Sequence, residues 1–189
     1  MINWMIVFSL LVAGNVLLTN GFGALALQRN KNSIVFTFVN SICLACVIIL
    51  SSVLYNLIYT YLLDPFQLEK LGIIVIILFA GLFNFATLEM IKIASKEMYY
   101  YYDTTYSFVI NMGLTIGVML SLNPIGDLLQ VLINSAFASL GYILITLIFA
   151  LVYSRLHNKK VSRIVRPVPI TILTMSILAM IIYAITISI

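Results

Sequence analysis

Long apolar runs separated by short polar connections make up most of this 189-residue chain. Six runs stand out, at approximately 4–27, 33–63, 71–93, 106–122, 128–153 and 168–189. A membrane-spanning helix needs roughly 20 predominantly apolar residues, and five of the runs supply them. The second is long enough to tilt or to extend beyond the bilayer. The fourth is short and begins with polar residues. The pattern predicts an all-α polytopic membrane protein of six transmembrane helices, forming a single membrane domain over 1–189. The first run begins directly at Met1-Ile2-Asn3-Trp4, without a basic leader or a small-residue cleavage site, so it reads as a retained span.

Within the runs, the polar positions repeat. Asn15, Leu18, Thr19 and Gly21 match Asn111, Leu114, Thr115 and Gly117 at an offset of about 95 residues. Further on, Asn40-Ser41 matches Asn134-Ser135, and Lys70 matches Arg166. Each half, approximately 1–93 and 94–189, then holds three spans. An odd number of spans makes the second half enter from the opposite side, so the repeats are predicted to be inverted. Gly14, Gly21 and Gly23 interrupt the first span, and Gly113 and Gly117 the fourth. Such interruptions at matching positions predict two broken helices lining a midplane site, with Asn15, Thr19, Gly21, Asn111, Thr115 and Gly117 as its candidate residues. Small residues that let helices approach closely are the simpler reading of the same positions.

Composition strengthens the membrane reading. Hydrophobic residues are 63% of the chain and charged residues only 8%, against roughly 25% charged in a soluble domain. Mean hydropathy is +1.15. The net charge of +4 does not form a basic face, so nucleic acid is not an expected partner, and lipid is.

The basic residues instead report orientation. Arg29 and Lys31 fall in the first connection, Lys92 and Lys96 at the third, and Arg155, Lys159, Lys160, Arg163 and Arg166 in the fifth. Only Lys70 falls on the other side, among Asp64, Glu69 and Asp127. Lysine and arginine accumulate in cytoplasmic loops. A multi-pass protein of a bacterial cytoplasmic (inner) membrane with both termini external is therefore predicted. Tyr55, Tyr59 and Tyr61, and the run Tyr99 to Tyr102, read as an interfacial belt; a stacking platform for flavin or quinone is the rarer use of such a run.

Length, six spans, external termini and paired three-helix halves resemble the RnfA/NqrE family. These are the membrane-intrinsic subunits of the Rnf and sodium-pumping NADH:quinone oxidoreductase complexes. The likeness is carried by Gln67 to Lys92, including Phe85-Ala-Thr87-Leu-Glu89-Met90, by Leu129-Gln130 through Ser135 and Gly141-Tyr142 to Arg155-Leu156, and by the final span after Pro167. It covers nearly the whole chain without one diagnostic motif. The resemblance implies a homologous sister membrane subunit, redox subunits carrying flavin or iron–sulfur centres, and a [2Fe–2S] cluster held by one cysteine in each broken helix. Here the matching stretches read Gly21 to Leu27 and Val109 to Leu114, and neither contains cysteine. The Met112 thioether is a poor substitute for a thiolate. No cofactor is predicted for this chain.

Other candidates are weaker. Cys43 and Cys46 share one helical face by their spacing, but two thiols are half a tetrahedral set, and buried cysteine usually acts as a small hydrophobe. Glu89 lies near the end of the third span, where an ion or proton relay competes with a simple pair to Lys92. His157 sits in the basic loop and has no assigned role. The functional expectation is a membrane-intrinsic RnfA/NqrE-like subunit of an electron-transport or ion-translocating complex, a scaffold without the family's cluster rather than a catalyst on its own. Its rivals are a small transporter or substrate-binding component with a midplane solute site, and a purely structural membrane partner.

Overall fold

The computed structural model describes residues 34–94 and 104–157, together with Ser176, Ile177 and Met180. The predicted first and sixth spans lie outside this set. All regular structure among the described residues is helical. Helix α1 runs Ile34–Ile58 and continues as a π-helical turn, Tyr59–Leu63. A 3-10 turn, Glu69–Leu71, leads into α2, Gly72–Ala94. Helix α3 is Thr104–Leu122 and α4 is Leu128–His157.

Two prolines shape one end of the bundle. Pro65 has no N–H to continue the helical ladder, and the chain widens on both sides of it: Asp64 N–H donates to Tyr59 O at 2.9 Å and Leu68 N–H to Leu63 O at 2.8 Å. Gln67 then turns the chain at φ 54°. Helix α3 stops at Asn123-Pro124. Asn123 takes φ 42°, a left-handed conformation that asparagine tolerates, and its N–H donates to Met119 O at 3.1 Å. Ile125 N–H closes a tight turn over Pro124 onto Asn123 O at 2.7 Å. Both connections, 64–68 and 123–127, lie at this hairpin end.

The burial pattern is that of a protein dissolved in lipid. Thr37, Ser41, Ser51, Ser52, Asn56, Asn84, Asn111, Thr115, Ser135, Ser139 and Thr146 are buried between helices. Ile73, Ile74, Ile77, Leu78, Leu82 and Phe85 are exposed along α2. In water this arrangement would leave apolar surface uncovered and polar groups desolvated; in a bilayer, helices associate through small and polar residues while large apolar ones face the acyl chains. Three helical stretches are long and apolar enough to cross a membrane: Thr37–Leu63, Glu69–Ile93 and Leu128–Val152. A shorter apolar stretch, Phe108–Leu122, accompanies them.

Helices α1 and α4 form the most extensive pair. They run antiparallel, because Ser41 meets Thr146 while Asn56 meets Gly126. Helix α2 lies against α1 and α3. Near the hairpin end, Tyr55, Ile76 and Met119 form a buried cluster, with Tyr59, Val75, Phe79 and Ile116 packed on it. Gly72 makes room for it: a Cβ there would fall 2.7 Å from the Tyr55 hydroxyl.

One expectation is corrected. The fourth predicted span is not broken: α3 is continuous from Thr104 through Gly113 and Gly117 to Leu122. Its polar side chains find partners without opening the backbone, so nothing forces an interruption.

Candidate functional site

Some of the buried amides and hydroxyls form a layer that touches all four helices. Near the centre of the Glu69–Ile93 span, Asn84 projects from an otherwise apolar run. An unpaired amide in hydrocarbon costs several kcal/mol, and Asn84 avoids this twice. Its Nδ2 donates to Ala80 O at 2.7 Å on its own helix and to Thr115 Oγ1 on α3 at 3.1 Å. The Thr115 hydroxyl donates in turn to Asn111 O, one turn back, at 2.8 Å. Asn111 Nδ2 donates to Asn40 Oδ1 on α1 at 3.3 Å. Beside Asn40, Ser41 Oγ lies 2.9 Å from Thr146 Oγ1 on α4.

The Ser41–Thr146 pair can be polarised in either direction. Ser41 Oγ also reaches Thr37 O at 2.8 Å, and Thr146 Oγ1 reaches Tyr142 O at 2.9 Å. Each hydroxyl has one proton. Either Ser41 donates to its own helix and Thr146 donates across, or the roles reverse.

Most other helical hydroxyls bond back to their own backbone: Ser121 to Gly117 O, Ser135 to Leu132 O and Ser139 to Ala136 O. Ser51 and Ser52 do not. They sit at the centre of the Thr37–Leu63 span, are fully buried, and have no hydrogen-bond partner. A buried hydroxyl left so costs about 1–3 kcal/mol.

Of the six residues predicted for a midplane site, the structure brings Asn111 and Thr115 into this layer. Gly117 contributes only its carbonyl, to Ser121. Asn15, Thr19 and Gly21 lie outside the described residues. Asn111 faces protein, as a buried amide must, and its described partner is Asn40. Sequence reasoning missed Asn84, Ser52 and Thr146 as site residues. The signal was present: a lone amide between Phe83 and Phe85 has to be paired in lipid.

The remaining candidates do not converge on the layer. Glu89 Oε2 pairs with Lys92 Nζ at 3.5 Å, both half-exposed on the last turns of α2. Cys43 is half-buried, whereas Cys46 is exposed on the same stripe of α1 as Ile42 and Leu50. Among the described residues no three histidine, cysteine, aspartate or glutamate side chains group as metal ligands. Met112 packs at Gly81, where a Cβ would lie 3.6 Å from its Cε and 3.9 Å from its sulfur. With a thioether at this position and no thiolate on α3, this stretch does not fit a [2Fe–2S] cluster.

A small polar cavity of about 90 Å³ opens at the hairpin end between α3 and α4. Asn123, Asp127, Gln130 and Asn134 line it, with Pro124 and Val131 behind them. Neither family models nor curated proteins yield a match to the chain.

Proposed function

We propose that the chain is a membrane-intrinsic subunit of a multi-subunit electron-transport or ion-translocating complex, RnfA/NqrE-like in plan. It acts as a scaffold for partner subunits in a bacterial cytoplasmic membrane and carries no cluster of its own. Its six spans form two inverted three-helix repeats with both termini external.

One observation supports the repeat on which this rests. The pair Ser41–Thr146 fixes an antiparallel register in which facing residue numbers on α1 and α4 total 187. The sequence match of Ser41 to Ser135 has an offset of 94. Applied to the bonded pair, this offset takes Ser41 to Ser135 and relates Thr146 to Ser52. Both of those residues are buried hydroxyls. Buried hydroxyls at all four positions are compatible with two equivalent helices crossing at a twofold axis in the membrane plane.

The polar layer favours a second reading, a small transporter or substrate-binding component whose solute meets Asn40, Asn84, Asn111 and Thr115. Gentle purification of the tagged chain from its native membrane separates the two. The first reading expects a sister membrane subunit and flavin- or iron-containing partners to co-purify. Recovery of the chain alone, with solute uptake in vesicles and no redox partner, would replace it with the second.

A further inference from the structure

We propose that the polar cavity at the hairpin end is a lipid site, which takes the primary ammonium of a phospholipid headgroup between α3 and α4. Asp127, Gln130 and Asn134 line it, and their spacing of three and four residues places them on one face at the start of α4. Asn123, just past the end of α3, lines it as well. The connection between them is held in place. Asn123 N–H donates to Met119 O and Ile125 N–H to Asn123 O, while Asn56 clamps Gly126, the neighbour of Asp127. The loop that carries the carboxylate is therefore ordered before a ligand arrives, and binding costs little in ordering it.

The polar groups of the cavity call for a partner from outside. Asn134 lies about 10 Å along the helix axis from Asp127, inside the apolar stretch that begins at Leu128. Among the described residues no side-chain hydrogen bond engages Asn134 or Gln130, and no ion pair engages Asp127. An amide at that depth has to be matched by water or by a polar ligand. Charge selects the sign of the ligand, since an anion would meet the Asp127 carboxylate. A primary ammonium instead brings three N–H donors and no acceptor, to a carboxylate and the amide oxygens of Asn123, Gln130 and Asn134. The cavity volume of about 90 Å³ equals that of about three waters. That admits an aminomethyl end, whereas a metal ion would fill it only together with its own waters. The rim decides how the ammonium arrives. Ile125 lines the cavity and is exposed, and Leu128, Leu129 and Leu132 are exposed on the same turns of α4. They offer acyl chains a surface beside the headgroup, which a free amine would not use.

The site needs only that these helices span a membrane, and it holds whether the chain serves a redox complex or a transporter. Native mass spectrometry of the full chain in detergent tests it, with dioleoylphosphatidylethanolamine, dioleoylphosphatidylcholine and ethanolamine as separate probes. The ethanolamine lipid should bind about tenfold more tightly than the choline lipid, whose quaternary nitrogen has no N–H to donate. It should also outbind ethanolamine, which has no acyl chains. Asp127→Asn should abolish the preference while keeping the helix cap, since asparagine caps a helix as well as aspartate does. Gln130→Met, at an exposed position of the same face, should reduce it severalfold. Glu69→Gln, a carboxylate at the same end but outside the cavity, should leave it unchanged. Equal binding of the two lipids, or a preference that survives both Asp127→Asn and Gln130→Met, overturns the site. Ethanolamine bound as tightly as its lipid overturns the lipid source and assigns the cavity to a free amine.

Discussion

The side-chain amide of Asn56 pairs with the backbone of Gly126 through two hydrogen bonds. Asn56 Nδ2 donates to Gly126 O at 3.0 Å, and Gly126 N–H donates to Asn56 Oδ1 at 3.2 Å. One side chain on α1 thereby holds the α3–α4 connection at the edge of the apolar layer. Gly126 is at φ 134°, with nothing within 4 Å of where a Cβ would stand. Conformation, not space, requires glycine there.

Asn56→Leu should therefore destabilise the bundle by about 0.5–1.5 kcal/mol for each of the two hydrogen bonds that it removes. Gly126→Ala should destabilise it through strain of about 1–3 kcal/mol. Thermal unfolding in detergent, followed by circular dichroism, measures both. A melting point unchanged in Asn56→Leu would show that the clamp contributes nothing.

Asn84 and Thr115 should be energetically coupled. A double-mutant cycle with Asn84→Leu and Thr115→Val is expected to give about 0.5–1.5 kcal/mol, the range of hydrogen bonds between membrane helices. Leu82→Ala, on the exposed face of the same helix, should couple to neither. Additive effects of the first pair would mean that the 3.1 Å contact is geometrically present but energetically idle.

Gly72→Ala should destabilise the hairpin end by about 1–3 kcal/mol, as overpacking does. The offending atom is the Tyr55 hydroxyl at 2.7 Å, while its ring carbon Cζ is at 3.7 Å. Adding Tyr55→Phe should therefore restore most of the loss. If the double variant is no more stable than Gly72→Ala, backbone rather than side-chain crowding is responsible.

Topology can be read from described residues. In a background lacking Cys43 and Cys46, a cysteine replacing Gln67 should react with an impermeant maleimide in intact cells, whereas one replacing Lys92 should react only after permeabilisation. The opposite pattern would invert the orientation drawn from the basic residues. Neutralising the Glu89–Lys92 pair should change stability by less than about 1 kcal/mol, since both side chains are half-exposed.

Among the described residues, what the sequence determined by itself was the four helices and where each begins. Runs predicted at 33–63, 71–93, 106–122 and 128–153 became helices starting at Ile34, Gly72, Thr104 and Leu128. Apolar length is a local property, and Pro65 and Pro124 end helices whatever surrounds them. The pairing of Glu89 with Lys92 was legible for the same reason, being three residues apart on one helix. Only the tertiary structure decided which polar groups meet. Asn84 and Thr115 are 31 residues apart, and Ser41 and Thr146 are 105 apart. Their meeting depends on how each helix is rotated and how far it slides along its neighbour. In water an apolar stripe would mark the inward face; in lipid both faces are apolar, so periodicity leaves rotation unmarked. The glycines of the fourth span were ambiguous for a related reason. Whether Gly113 and Gly117 interrupt a helix depends on whether Asn111 and Thr115 find partners on other helices, and Asn40 and Asn84 supply them.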